Sequence, residues 1–348
     1  MAFKLRFGKR DKHESLQEQV GKLVAQKKCL EAIELLSKHI STNPSPEIEI
    51  QLTQLRHDAF FVIDHGKPEG SWPPIVTDLF TTSTGIPEID SKEINGTKAR
   101  SGVFNHGSLI VRNLLAQDQI ETLASSIENA FNAFDNVDQL DQTHSWFSPL
   151  KTHNNMGDLD ADRPWVREGG GVLAAESPHA LFNLVDIFEK TGVIALITEF
   201  LGERPALSVR KTTLRKTSPK TRAEFGWHQD GAFLGHGIRT LNVWVALTDC
   251  GIDSPSMDMI PRRLEKVLPT GTEGALFNWS VSPAIVEKVC EIGQPQHLLF
   301  KAGDAIIFDE VNLHRTSSLP GMNKDRLAIE SWFFAPSCYP LDQLPILI

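Results

Sequence analysis

The chain has 348 residues, and its 35 lysines and arginines against 44 aspartates and glutamates give a formal net charge of −9. That length predicts about two domains, or one large domain with an appendage, and the acidic balance argues against duplex nucleic acid as a partner. The four cysteines are scattered without a C-x-x-C pair, which excludes a zinc ribbon and favours a reducing compartment. Without an apolar run of ~18 residues or a signal peptide, we expect a cytoplasmic protein without a membrane span.

Residues 1–63 are predicted to form a helical appendage. Apolar residues recur at helical spacing in Glu31–Ile40, the prolines of Asn43–Pro46 end that helix, and a second helix begins at Glu47. The stretch LEAIELLSKHISTNP resembles the second half of a tetratricopeptide repeat, but such arrays need about three units to bury their faces. We therefore expect a helical hairpin that packs on the main domain or, by self-association, on a second subunit.

Residues 64–106 are rich in proline, glycine, threonine and serine, which predicts a linker. The main domain, 107–348, is predicted to begin with one strand and two helices, Gly107–Val111, Ala116–Phe134 and Leu181–Leu201. Between these helices, residues 136–180 show little periodicity, and loops of that length are commonly functional.

From Ala206 onward the sequence changes to short apolar runs separated by turn signals. The predicted strands are Ala206–Lys216, Thr240–Leu247, His297–Phe300, Ala305–Asp309 and Arg326–Phe334. Strands without helices between them favour a sandwich or barrel over a parallel sheet. The fold class is therefore mainly β with flanking helices (α+β), and the chain has no glycine-rich phosphate loop.

The segment Gly226-Trp227-His228-Gln229-Asp230 contains the clearest chemical signal. Side chains alternate along an extended segment, so His228 and Asp230 project to the same side and can share a metal ion. His314, which follows the predicted strand Ala305–Asp309, is the best candidate for a third ligand. Two imidazoles and one carboxylate leave three open positions on an octahedral ion, an arrangement that suits non-haem Fe(II). An H-x-D pair alone also arises by chance.

The surrounding motifs make the signal specific. Arg326 begins the last long strand and can hold a carboxylate through two parallel hydrogen bonds. The pieces TTLRKTSP, GWHQD, NVWVALTD, MIPRR, FKAGDAIIFDEVNLHRTS and RLAIESWFFAP occur in that order. Together they resemble the phytanoyl-CoA dioxygenase family of Fe(II)- and 2-oxoglutarate-dependent oxygenases, over about residues 107–336.

This resemblance implies a double-stranded β-helix (jelly-roll, cupin-like) core whose open end holds Fe(II) through His228, Asp230 and His314. It implies that Arg326 binds the distal carboxylate of the co-substrate 2-oxoglutarate, and that O2 and a small molecule are the other reactants. The residues expected beside the co-substrate are Thr213, Trp244 and Thr316. For Trp244, a purely structural place in the core is equally open.

The resemblance also bears on the reaction. In related halogenases a small residue replaces the carboxylate ligand, so an intact Asp230 indicates hydroxylation with release of succinate and CO2. Arg262-Arg263-Leu264 stands where the family commonly has Gly-Ser-His. Since the loops that choose a substrate also differ, the resemblance implies the reaction class and leaves the substrate open.

One basic cluster hints at the substrate. Six cations immediately precede the metal motif: Arg210, Lys211, Arg215, Lys216, Lys220 and Arg222. A solvated surface is the ordinary explanation for such a run. We also consider the hypothesis that some of them, with Arg262 or Arg263, attract an anionic substrate.

Two other functions remain open at this point. One is a metal-dependent cupin-like enzyme that does not use 2-oxoglutarate, for which Arg326 would have no purpose. The other is a non-catalytic scaffold or binding protein with the same fold, against which the intact set of ligands counts.

Overall fold

The computed structural model describes residues 15–140, 144–157, 159–220, 226–291 and 293–348. The helices are α1 Leu16–Ala25, α2 Cys29–Ile40, α3 Pro46–Phe60, α4 Gly96–His106, α5 Gln117–Asp135, α6 Asp162–Glu168, α7 Pro178–Lys190, α8 Val193–Leu201, α9 Gly231–Leu234 and α10 Pro283–Cys290. The strands are β1 Glu88–Asp90, β2 Ser108–Arg112, β3 Gly171–Leu173, β4 Ala206–Thr217, β5 Thr240–Ala246, β6 Ser256–Met259, β7 Gln296–His297, β8 Ala305–Phe308, β9 His314–Ser317, β10 Arg326–Phe334 and β11 Pro345–Leu347. Within these ranges, no helix combines the length and apolar character needed to cross a bilayer.

The strands form two sheets. The larger has the order β1-β2-β8-β5-β10-β4-β11, with β3 added to β4, and the smaller has the order β7-β6-β9. The pairing of β1 with β2 is parallel, and the long central strands pair antiparallel. This is the predicted jelly-roll, mainly β with flanking helices. The metal motif lies beside β9 at the edge of the smaller sheet, where His228 pairs with His314.

Alternation along the central strands separates two cores. On β5, Leu241, Val243 and Val245 pack in one cluster with the helices that cover the outside of the larger sheet. Trp244 and Ala246 point the other way, into a second cluster between the sheets. Because successive side chains of a strand face opposite sides, one continuous apolar run supplies both layers.

The N-terminal helices pack on the main domain. Helix α3 contacts α7 and β11, and the Arg56 guanidinium donates to the Leu347 carbonyl oxygen at 2.7 Å. The rings of Phe60 and Tyr339 lie 5.1 Å apart between centres. The N-terminal helices therefore pack on the main domain, which is one of the two arrangements expected from the sequence. Self-association through these helices stays a prediction.

The structure corrects the prediction of a linker over 64–106. Its second half holds β1, which pairs with β2, and α4, which packs against α8 and β2. The Asn95 side chain accepts a hydrogen bond from the Lys98 amide and begins α4, a helix start that the composition of the segment obscured. The division into an appendage 1–63, a linker and a domain 107–348 otherwise stays a proposal.

Two predicted elements also change. The helix predicted over Leu181–Leu201 is two helices, α7 and α8, because Gly192 adopts a left-handed conformation (φ 77°) between them. Gly202 (φ 86°) ends α8 as predicted. The strand predicted over His297–Phe300 is only Gln296–His297, followed by a single bridge from Phe300 to Cys250.

Candidate active site

Backbone pairing brings the two histidines of the motif together. The His228 amide donates to the His314 carbonyl oxygen at 2.9 Å, and the His314 amide donates back at 3.0 Å. The pair extends the smaller sheet beyond β9, where His314 also pairs with Met259. After Asp230 the chain turns into α9, and the Gly231 amide donates to the Glu310 carbonyl oxygen. The three predicted ligands are thus held by main-chain bonds.

Each imidazole is oriented by its own backbone. The Nδ1 atom of His228 lies 2.9 Å from the Gly226 carbonyl oxygen, and that of His314 lies 3.2 Å from the Asn312 carbonyl oxygen. A carbonyl oxygen only accepts, so Nδ1 carries the hydrogen and Nε2 keeps its lone pair. The potential ligand atoms of the two histidines and Asp230 all lie within 4.8 Å of one another. This donor set fits one divalent ion with open positions.

The protonation states also suit a metal. Burial, together with the neighbouring His314, lowers the pKa of His228 to about 4, so its imidazole is neutral at physiological pH. Burial would raise the pKa of Asp230, but the Lys211 ammonium and the two imidazoles lower it below its ordinary value. A neutral imidazole and an ionised carboxylate are the forms that bind metals.

The site opens into a cavity of about 550 Å³ whose lining includes His228, Asp230, His314 and Arg326. Arg326 is 3% exposed, donates to the Ser256 carbonyl oxygen and the Thr217 hydroxyl, and has no partner for Nε among the described residues. Burial lowers its pKa to about 10, so it is charged at neutral pH. Both of those acceptors are neutral. A buried cation without an acidic partner is costly, so an anion such as the distal carboxylate of 2-oxoglutarate fits here.

The structure brings two of the three residues expected beside the co-substrate into the cavity. Trp244 and Thr316 line it, and the Trp244 ring centre lies 5.3 Å from Cζ of Arg326. Thr213 does not belong to the described lining, and its hydroxyl donates to Glu330 at 3.1 Å. The side chain of Glu330 covers that position, so the prediction for Thr213 lacks support from the geometry.

The sequence analysis missed several lining residues. Glu330 lies on the same face of β10 as Arg326, a position that strand alternation alone could have identified. Asn242, one alternation before Trp244 on β5, is buried, and its Oδ1 has no partner within the described ranges. The aromatic lining residues had no sequence signal: Trp165 on α6, Phe233 on α9, and Phe277 and Trp279 from the segment before α10.

The described residues of the basic cluster before the motif do not form a free cationic surface. Arg210 pairs with Asp162, Lys211 with Asp230, Arg215 with Glu330 and Lys216 with Glu128. Only Lys211 and Arg215 of this cluster are among the described cavity residues. Arg222 lies outside the described residues. Arg263 pairs with Asp309, and neither it nor Arg262 is in the described lining. Acids from α5, α6, β10 and the metal motif therefore neutralise most of the described cluster residues, a pairing that a sequence run cannot reveal.

Comparison with known families agrees with this geometry. The sequence model of the phytanoyl-CoA dioxygenase (PhyH) family matches residues 104–318, which include the three predicted ligands. The chain belongs to this family. It is a non-haem Fe(II)- and 2-oxoglutarate-dependent oxygenase, and its cofactors are those predicted from the sequence. The interpretations as a scaffold, or as an enzyme without 2-oxoglutarate, are thereby rejected.

Solved structures resemble the chain more distantly, and no curated protein matches it by sequence. AviO1 from Streptomyces viridochromogenes is 19% identical, with 68% of this chain and 93% of that chain covered and a TM-score of 0.42. The α-ketoglutarate-dependent carbocyclase SnoK from nogalamycin biosynthesis is 13% identical, with 70% and 85% covered and a TM-score of 0.47. EvdO2 from Micromonospora carbonacea var. aurantiaca, complexed with 2-oxoglutarate, is 15% identical, with 70% and 89% covered and a TM-score of 0.41. Likenesses of this size support no inference about the substrate of this member of the PhyH family.

Proposed function

We propose that this PhyH-family protein hydroxylates a small organic substrate, with His228, Asp230 and His314 binding Fe(II) and Arg326 binding 2-oxoglutarate. The observation that carries the proposal is the convergence of the three ligand atoms within 4.8 Å. They share one cavity with a buried guanidinium that has no acidic partner among the described residues. These are the elements that an oxygenase of this family requires, and they come from three separate stretches of the chain.

The residues of the chain have distinct tasks in this reaction. The Gly226 and Asn312 carbonyl oxygens fix the imidazoles with Nε2 toward the cavity, and Arg326 positions 2-oxoglutarate through charge-assisted hydrogen bonds. When bound, iron and 2-oxoglutarate supply oxygen activation coupled to release of succinate and CO2.

Hydroxylation is proposed because the carboxylate position is intact. Asp230 is buried, ionised and aligned with the two histidines. In related halogenases a small residue stands there and leaves room for halide. A carboxylate at position 230 fills that place, so the group transferred to the substrate is a hydroxyl.

Anaerobic addition of Fe(II) and 2-oxoglutarate tests the proposal. We expect the weak visible charge-transfer band of the chelate in the wild type, and succinate once oxygen is admitted. His228→Ala is expected to lose both signals, while the surface variant Lys301→Ala keeps both. A folded wild type that gives neither band nor succinate would contradict the proposal. Isotopically labelled oxygen gas then distinguishes hydroxylation, which puts one labelled atom into the product.

A further inference from the structure

The part of the cavity beyond the ligands has an aromatic wall, which we define as Phe233, Phe277 and Trp279. The Phe277 and Trp279 rings are stacked, 4.8 Å apart and 6° from parallel. Phe233 continues the wall, 6.2 Å from Trp279, and Trp279 lies edge-on to His228 at 5.4 Å. All three rings are partly exposed to the cavity. Such a surface favours a flat ring system, because offset stacking on aromatic faces adds to the gain from apolar burial.

The two cations near this wall, Arg215 and Lys211, have different ion-pair partners. Arg215 and Glu330 neutralise each other through contacts of 2.7 and 3.2 Å, and Glu330 also accepts from the Trp332 indole. Lys211, in contrast, is paired with a predicted metal ligand, Asp230. Its ammonium lies 3.0 Å from Oδ1 of Asp230 and 4.6 Å from the Phe233 ring centre.

Loading the site changes the balance of charge at Lys211. A divalent cation on Asp230 uses the charge that otherwise stabilises the ammonium, and it repels the ammonium directly. The two negative charges of 2-oxoglutarate are matched by that cation and by Arg326. Lys211 therefore becomes the cation with the least compensation among the described cavity residues. Of the described acids that line the cavity, only the exposed Glu168 has no ion pair with another described residue.

We propose that the substrate is a ring-bearing carboxylate, whose ring lies on the aromatic wall and whose carboxylate binds Lys211. The proposal rests on the proposed function, since it needs the metal on Asp230. In this proposal a single residue, Lys211, binds the substrate anion, in place of the six-residue basic cluster considered from the sequence. The aromatic wall adds the requirement that the substrate contain a flat ring. Lys211 and Phe233 adjoin each other, so one compact molecule can reach both.

The test uses matched probes that differ only in charge. Isothermal titration calorimetry is done anaerobically on protein loaded with Fe(II) and 2-oxoglutarate, with 2-naphthoate and neutral 2-naphthamide as ligands. We expect 2-naphthoate to bind at least about tenfold tighter, as one desolvated ion pair allows. Equal affinities, or no binding of either probe, would overturn the proposal without any variant.

Three variants then locate the residues responsible for the preference. Lys211→Met is expected to abolish the difference between the probes, whereas Lys216→Met, which loses a neighbouring cation paired with Glu128, is expected to preserve it. Trp279→Phe is expected to weaken both probes equally. If Lys211→Met keeps the difference, or instead weakens 2-oxoglutarate, Lys211 does not bind substrate.

The charge-transfer band shows whether a negative result contradicts the proposed function or only the inference about the substrate. It is recorded on every sample before titration, so that each probe affinity refers to protein that holds Fe(II) and 2-oxoglutarate. A wild type without the band contradicts the proposed function itself. A wild type with the band but without a preference for 2-naphthoate contradicts only the inference about the substrate.

Discussion

At the residue scale, the acids and bases near the metal motif are mostly satisfied in pairs, and Glu310 departs from this rule. Its side chain is largely buried, and Oε2 has no hydrogen-bond partner within the described ranges. Burial, reinforced by the neighbouring charge of Asp309, raises the pKa of Glu310 to about 8. The folded protein thus keeps this carboxyl protonated at neutral pH, while the unfolded chain ionises it near 4.5.

This difference predicts a loss of stability with rising pH. A raised folded-state pKa means that the native state binds more protons than the unfolded state between pH 4.5 and about 8, so its contribution falls across that window. Glu310→Gln removes the titration. We expect the loss of unfolding free energy that this group causes across the window, at most about 5 kcal/mol, to be absent from the variant, measured by urea titration at both ends.

A surface variant controls for the loss of negative charge in that experiment. Glu291→Gln, at an exposed position after α10, is expected to leave the pH dependence of stability as in the wild type. If Glu310→Gln shows the same slope as Glu291→Gln, the carboxyl of Glu310 is ionised in the folded protein and the assignment is wrong.

Arg326 gives a second prediction at this scale. Replacing it with alanine removes charge-assisted bonds worth about 1.5–3 kcal/mol, so the 2-oxoglutarate concentration for half-maximal succinate formation is expected to rise about 10- to 100-fold. Arg326→Lys keeps the positive charge but loses the two parallel N–H donors of the guanidinium. Its 2-oxoglutarate concentration for half-maximal succinate formation is expected to lie between those of the wild type and Arg326→Ala. Arg112→Lys is the control, because Arg112 is bonded to Glu88 and Asp304. It is expected to leave the 2-oxoglutarate requirement unchanged.

An unchanged 2-oxoglutarate requirement in Arg326→Ala, with the variant folded, would show that the co-substrate carboxylate binds elsewhere. The readout is a concentration dependence, so a variant that merely loses active protein shows a lower maximum and the same midpoint. This separates binding from general damage.

The sequence predicted the site at this scale where chemistry and spacing coincide. The alternation of His228 with Asp230 and the positions of His314 and Arg326 sufficed to propose a shared cavity. The pairing of Lys211 with Asp230 depends on which strand lies beside which, and short-range periodicity does not contain that information. The same limitation explains the basic cluster, whose acidic partners come from four distant segments.

At the element scale, helix α3 connects the N-terminal helices to the segment before α6. Gln54 forms two hydrogen bonds with the backbone of Lys151, donating at 2.8 Å and accepting at 3.2 Å. His57 accepts from the His153 amide at 3.0 Å, and the Phe61 ring stacks on His153. Helix α6 follows this segment and supplies Trp165, which is 61% exposed, to the cavity lining.

These contacts predict that α3 stabilises the entrance of the cavity. Gln54→Ala removes two backbone-directed hydrogen bonds, each worth about 1 kcal/mol, so amide hydrogen exchange over residues 150–168 is expected to accelerate severalfold. Gln51→Ala is the matched control, because Gln51 exchanges two side-chain hydrogen bonds with Gln17 in α1 instead. Equal protection of residues 150–168 in both variants would contradict the role of α3.

Element boundaries were predictable where apolar periodicity and a terminal signal agree, as for β10 over Arg326–Phe334 and for the end of α8 at Gly202. They were not predictable where tertiary contacts override composition. Helix α4 lies in a proline- and glycine-rich stretch and is stabilised by packing on α8. The split between α7 and α8 needs the positive φ of Gly192, which is one of two conformations that a glycine adopts readily.

At the scale of the whole molecule, the net charge of −9 is an average over separately balanced regions. Cations that cluster in sequence are neutralised by acids from other elements, and the cavity keeps its charges in specific places. Among the described residues, Arg326 bonds only to neutral acceptors, whereas Lys211 pairs with Asp230, one of the predicted metal ligands. The fold thus places these two cations in the cavity beside the predicted metal ligands, although the chain as a whole is acidic.

The proposed metal centre is tested most directly by anomalous X-ray diffraction at the iron edge, on crystals grown anaerobically with Fe(II) and 2-oxoglutarate. We expect one strong peak within bonding distance of Nε2 of His228, a carboxylate oxygen of Asp230 and Nε2 of His314, with the distal carboxylate of 2-oxoglutarate on Arg326. An iron peak bound by other residues, or its absence from a cavity that contains 2-oxoglutarate, would contradict the proposed centre.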